Sequence, residues 1–211
     1  MKFLVVLSLI AAAPMGQGAV IFWTNQEIPI PSTIEGVYLN VGTGETHSSD
    51  TTGFSNTQVN FFFGGFGIAS NDDFLPARVA AGDLDPIRPL NQGDPVNATL
   101  SFGPQGFGGS SAHVSNTPGP ETFQSGVPGY LGFQFDLNQD GQYVFGWMRV
   151  TLTNGSSDGV IHEWAYGTTP GEEIMVGVVP EPSSWMMGII GVSLGIVFCR
   201  KRNGHPHEER S

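Results

Sequence analysis

Hydrophobic residues along this 211-residue chain fall into two long uncharged runs and a long middle of short bursts. The first run, Phe3 to Ala13, follows Met1-Lys2 and leads into Gly16-Gln17-Gly18-Ala19. A positive start, an apolar stretch too short to span a bilayer and then small residues make the layout of a secretory signal peptide. Pro14 disfavours a cut after Ala13, and the spacing of Gly16 and Gly18 predicts cleavage between Gly18 and Ala19, removing residues 1–18, with a cut one residue later as the alternative. The second run, Trp185 to Cys199, carries no charge and is closed by Arg200-Lys201-Arg202. From Ser183 to Cys199 a helix is about 25 Å long, at the short end of what crosses a bilayer. Only a helix satisfies its own backbone groups in lipid, so residues 185–199 are predicted to be a single transmembrane helix. The basic cluster holds its own end in the cytoplasm. Residues 203–211 then form a short cytoplasmic tail, and everything upstream of the span lies outside.

Between the runs, residues 19–177 read as strands. Val20 to Val41 suggests two short strands broken by Pro29 and Pro31, followed by the polar loop TGETHSSDTTGFSN. Gln58 to Ala69, QVNFFFGGFGIA, suits a buried strand and a glycine bend. A turn at Ser70 to Leu75 follows, then an irregular excursion punctuated by Asp85-Pro86, Arg88-Pro89 and Asp94-Pro95, which leads into a strand near Ala98 to Phe102. Gly103 to Gly129 is rich in Gly, Pro, Ser, Asn and Thr and reads as a surface loop. The clearest strands come last: Tyr130 to Leu137, Gln142 to Thr153 and Val160 to Tyr166, joined by the turns NQDG and NGSSDG. Three consecutive strands with short connections form a meander. The expected ectodomain is mainly β, an antiparallel β-sandwich of jelly-roll-like type.

Composition supports that reading. With 30 glycines and 15 prolines, and without long Leu/Ala/Glu/Lys stretches, the chain is poor helix material. Charge excludes one class of partner. From Ala19 to Pro182 there are 17 acidic residues against Arg78, Arg88 and Arg149, a surface that repels nucleic acid. The single cysteine, Cys199, lies in the tail, so the ectodomain has no internal disulfide and no thiolate nucleophile.

The junction between domain and span narrows the function. Pro180-Glu181-Pro182 is held extended by its two prolines, the shape a protease cleft accepts. The order VPEPSS, apolar run, Arg/Lys cluster over Val178 to Arg202 resembles the PEP-CTERM sorting signal of Gram-negative and related bacteria. The resemblance implies an exosortase as partner, a membrane-embedded cysteine peptidase that processes such tails near Pro180, Glu181 and Pro182. It also implies a transient hold in the inner membrane, with Arg200, Lys201 and Arg202 as the stop, and later display at the cell surface or in an exopolysaccharide matrix. One departure is that NGHPHEERS continues beyond the basic cluster, where the family usually ends. The Gly-Phe-x-Phe, Tyr-x-x-Gly-Trp and Ala-Tyr features of the last three strands resemble the strand-rich region that commonly precedes this signal, and imply no activity.

Candidate chemistry is sparse. Asp136, Asn138 and Asp140, followed by Gly141, match the first half of a calcium loop, but Trp147 stands where a bidentate Glu belongs. A plain β-turn has the same residues. His162 and Glu163 are adjacent in a strand and are expected on opposite faces, which excludes a shared metal. Asp72-Asp73 and Asp83 with Asp85 offer paired carboxylates of the kind glycan hydrolases use, though loop acids are usually just solvated. Trp23, Trp147 and Trp164 suit either a core or the sugar-stacking face of a lectin-like module. No nucleophile elbow, zinc-protease or P-loop pattern is present. The expectation is an exported, non-enzymatic β-sandwich with no resident cofactor, the alternatives being a secreted carbohydrate-binding module and, behind it, a glycan hydrolase.

Overall fold

Strands dominate the computed structural model, which describes residues 18–48, 54, 56–80, 82, 85–103, 113–117 and 119–178. In chain order they are β1 (Val20–Trp23), β2 (Ile28–Ile30), β3 (Val37–Leu39), β4 (Thr46–His47), β5 (Val59–Phe62), β6 (Gly67–Ser70), β7 (Phe74–Arg78) and β8 (Pro89–Leu90). There follow β9 (Pro95–Val96), β10 (Ser101–Phe102), β11 (Val114–Ser115), β12 (Phe123–Gln124), β13 (Pro128–Asp136), β14 (Tyr143–Thr151), β15 (Gly159–Gly167) and β16 (Ile174–Met175). Helix is nearly absent among the described residues, where a short 3-10 turn spans Phe63–Gly65. None there is long and apolar enough to cross a membrane, and the predicted span at 185–199 lies outside them. The chain divides into Met1–Val178 and Val179–Ser211, and only the first part contains described residues.

The three long strands form the expected meander at the centre of the larger sheet, ordered β1-β15-β14-β13-β7-β10. Strand β2 continues the β1 edge along β15, and β8 continues the β7 edge along β13. A second sheet has the order β4-β3-β5-β6. Pairing in both sheets is antiparallel; β11 and β12 are a separate parallel pair.

Both sheets feed one core. Val37, Leu39, Val59, Phe61 and Ile68 from the smaller sheet meet Phe133, Phe135, Val144, Met148, Ile161, Trp164 and Tyr166 from the larger. The opposite face of the larger sheet is also covered, because Phe145, Trp147 and Ala165 pack under Leu90, Val96, Ile174 and Val176. A strand buried on both faces needs no polar side, which is why β14 reads YVFGWMRVT rather than a clean alternation. Where side chains from neighbouring strands would collide, glycine gives way. Gly132 lies under Leu90, and Gly146 lies under its cross-strand partner Phe133.

Several sequence expectations change. Strand β7 starts inside the predicted turn at Ser70 to Leu75 and fills the head of the predicted irregular excursion, and β4 lies within the predicted polar loop. Val20 to Val41 holds three strands, not two, and Pro29 sits inside β2. That strand lies on the sheet edge, where a missing N–H breaks no ladder. The stretch from Gly103 to Gly129 is not wholly a surface loop: Val114 and Phe123, at the heads of β11 and β12, join the main core. The glycine bend after β5 is as expected, with Gly64 and Gly65 both at positive φ.

Candidate functional site

Four turns converge at one end of the two sheets and enclose a polar cleft of about 450 Å³. The β3–β4 hairpin brings Asn40, Glu45 and His47, and the approach to β5 brings Phe54, Asn56 and Gln58. The β6–β7 turn adds Asp73, and the β13–β14 turn adds Gln139. Hydrogen bonds lock these pieces together. Asn40 Nδ2 donates to the Asn56 carbonyl at 2.8 Å, while its Oδ1 accepts from Thr43 N–H at 2.9 Å. Gln58 Oε1 accepts from Val41 N–H at 2.8 Å, and the Gln58 carbonyl accepts from Asn71 N–H at 3.1 Å. Asp136 N–H donates to the Asp73 carbonyl at 2.8 Å, docking one turn on the other. From the larger sheet, Trp164 Nε1–H donates to the Val41 carbonyl and the Tyr166 hydroxyl to that of Gly42. These bonds tie the turns that line the cleft to one another and to the larger sheet. Two of its lining residues, Phe54 and Gln139, hold left-handed backbone at φ of 66° and 57°.

The candidate calcium residues sit beside this cleft. Asp136 is buried, its Oδ1 accepting from Asp140 N–H at 3.1 Å and its Oδ2 from Gly141 N–H at 2.7 Å. Asp140 Oδ1 accepts from Gln142 N–H, and Asn138 is exposed. An ion in this loop would compete with those N–H donors for the Asp136 carboxylate. Among the described residues no group of three or more His, Cys, Asp or Glu side chains is placed to hold a metal. Tyr143 closes the turn, its hydroxyl donating to the Asp72 carbonyl at 2.8 Å. Burial, then the carboxylates of Asp136, Asp72 and Asp73, push its phenol pKa up.

A second polar constellation lies on the outer side of the larger sheet. His162 Nδ1 is 3.0 Å from Glu27 Oε1, and Nε2 is 2.8 Å from Thr151 Oγ1. Next to it, Arg149 Nε donates to Glu163 Oε1 at 2.8 Å. This corrects the expectation that His162 and Glu163 face opposite ways. The β14–β15 register shifts between Arg149 and Val150, which pair with Glu163 and Ile161, so His162 is the extra residue of a β-bulge. Arg149 and Thr151, two apart on one strand, share a face. Their partners Glu163 and His162 therefore both reach that face. Glu27, like Asn25, has positive φ (46°), marking the turn that presents it. The chain Glu27–His162–Thr151 has the order of a carboxylate, a base and a hydroxyl. Sequence reasoning missed it because Glu27 and His162 are 135 residues apart.

The remaining predicted sites are placed as follows. Trp147 and Trp164 are buried, and Trp23 stacks on Trp164 with ring centroids 5.4 Å apart, so these rings belong to the packed interior. Asp73 Oδ2 accepts from Asn71 Nδ2, and Asp85 Oδ2 from Gly82 N–H, turn contacts both; Asp83 lies outside the described residues. At the predicted cleavage point, Gly18 N–H donates to the Glu172 carboxylate and the Ala19 carbonyl accepts from Thr168 N–H. Pro180, Glu181, Pro182, Arg200, Lys201 and Arg202 lie outside the described residues.

Comparison with known proteins bears on that last group. No curated protein and no solved structure matches the chain. One family model does, the PEP-CTERM protein-sorting motif, over residues 178–202. The match begins at Val178, the last described residue, and ends at Arg202, the last of the basic cluster. The chain thus carries a PEP-CTERM protein-sorting motif, the signal by which an exosortase recognises an exported protein and sorts it to the cell envelope.

Proposed function

We propose that this chain is an exosortase substrate whose β-sandwich works outside the cell, at the surface or in the exopolysaccharide matrix, without catalysing a reaction. The single observation that carries the proposal is the sorting motif at residues 178–202. Residues 1–18 direct export and are removed after Gly18. Residues 185–199 then hold the protein in the inner membrane, with Arg200, Lys201 and Arg202 on the cytoplasmic side. Exosortase acts near Pro180, Glu181 and Pro182, where the two prolines oppose helix and favour the extended form a protease cleft accepts. The acidic domain is released on the far side, and its net charge keeps it soluble there.

The test follows an epitope in the domain through cell fractionation, in cells with and without exosortase. The expected result is a shortened species in the surface or matrix fraction with the enzyme, and the uncut chain in the inner membrane without it. Replacing Pro180, Glu181 and Pro182 together by Ala should reproduce the enzyme-free pattern. Identical distribution and size in all strains would sink the proposal.

A further inference from the structure

We propose that the cleft between the β3–β4 hairpin and the β13–β14 turn is a binding site for a neutral saccharide. This does not depend on the sorting reading, because it rests on the geometry of the domain alone. The lining is mostly polar, which excludes a lipid or a hydrophobic peptide side chain. The internal bonds described above engage both ends of the Asn40 amide but do not use Gln58 Nε2 or the side chains of Glu45, His47 and Gln139. What remains at the opening is a mixture of amide donors and acceptors, carboxylate acceptors and an imidazole. A sugar hydroxyl both donates and accepts, so it satisfies such a mixture, whereas an ion satisfies only half of it. The partly exposed ring of Phe54 adds an apolar wall suited to the C–H face of a pyranose.

Charge narrows the class further. Glu45 and Asp73 line the cleft, Asp72 and Asp136 flank Tyr143 beside it, and the whole chain carries −11. An anionic polysaccharide is repelled from this end. Among the described residues no carboxylates converge here as a divalent cation needs. The size agrees, since small-ligand sites occupy roughly 300–1,000 Å³. The backbone agrees too. Left-handed residues other than glycine are held only where their surroundings over-determine them, and they gather at binding sites. Of the five among the described residues, Phe54 and Gln139 line this cleft, while Asn25, Glu27 and Phe63 lie away from it.

The experiment uses the full chain, purified in a detergent whose headgroup carries no sugar. Saturation-transfer NMR and titration calorimetry would be run with cellohexaose, laminarihexaose, maltohexaose and mannohexaose, and with oligogalacturonate as the anionic control. At least one neutral oligosaccharide is expected to bind. Glu45→Ala and Gln139→Gly, both exposed and outside the internal bonds, should each weaken it about tenfold without lowering the melting temperature. Glu163→Gln, on the outer side of the sheet, should leave binding unchanged. No saturation transfer from any neutral sugar at about 10 mM would overturn the assignment, that being weaker than ordinary recognition. So would equal binding of oligogalacturonate, or affinity unaltered in both cleft variants.

Discussion

The ring of Phe133 lies on the bare Cα of Gly146, its antiparallel partner, so closely that a Cβ on Gly146 would sit 2.4 Å from Phe133 Cζ. On the other side the same Cβ would meet the Ala165 carbonyl at 2.7 Å. Phe133 is fully buried and stacks on Phe74 at 4.9 Å, so it has nowhere to retreat. Gly146→Ala should therefore destabilise the domain by about 2–3 kcal/mol through overpacking. Urea unfolding checks it, and Gly146→Ala combined with Phe133→Leu should recover part of the loss. An unchanged midpoint in the single variant would show that the ring moves freely.

The Glu27–His162–Thr151 chain has the order of a catalytic triad, but the proposed function makes it a surface clasp that fastens the β2 end to the meander. Thr151→Val removes the hydroxyl at nearly constant volume and should lower stability by about 1 kcal/mol. Hydrolysis of p-nitrophenyl acetate by the parent protein should be no faster than by Thr151→Val. An esterase rate that disappears with the hydroxyl would turn the clasp into an active site.

Asp136 organises the β13–β14 turn by accepting from two backbone N–H groups while almost fully buried. Asp136→Ala leaves both donors without their carboxylate and should cost about 2–3 kcal/mol. If the residue serves the turn alone, that loss is the same in EDTA and in millimolar calcium. A melting temperature of the parent protein that rises with calcium, and does so only when Asp136 is present, would make the turn an ion site instead.

Alkaline stability should report on Tyr143 and Tyr166, whose phenols are both pushed up, by burial first in each case. A group with a raised folded-state pKa holds its proton more tightly when folded. Its contribution is complete below the unfolded value of about 10 and disappears as pH climbs through the higher folded value. Melting temperature should therefore fall as pH rises beyond about 10, and Tyr143→Phe should flatten that fall. Curves that run parallel for parent and variant would mean that Tyr143 makes no difference to it.

Legibility followed the range of the interactions. The meander could be read because β13, β14 and β15 are each long, strand-forming and joined by short turns. Pairing between sequence neighbours needs little loop-closure information. The short strands β4, β9, β11 and β16 were not legible, since two residues in a polar or proline-rich setting carry no period. Pro29 misled for a related reason: it forbids a central strand, and only the assembled sheet shows that β2 is an edge.

The sequence by itself determined the β class of the domain and the sorting motif. Each depends on composition or on a contiguous stretch; for the motif, the order of Pro180-Glu181-Pro182, an apolar run and Arg200-Lys201-Arg202 is the signal itself. Tertiary structure alone decided what the domain offers a partner. The bulge at His162 reversed a facing that strict alternation had assigned, because one extra residue shifts everything after it by one position. The cleft gathers Asn40, Gln58, Asp73 and Gln139 from turns spread across nearly a hundred residues. Those positions meet because two sheets share a core and their loops must therefore share an end, a relation that no local stretch of the chain records.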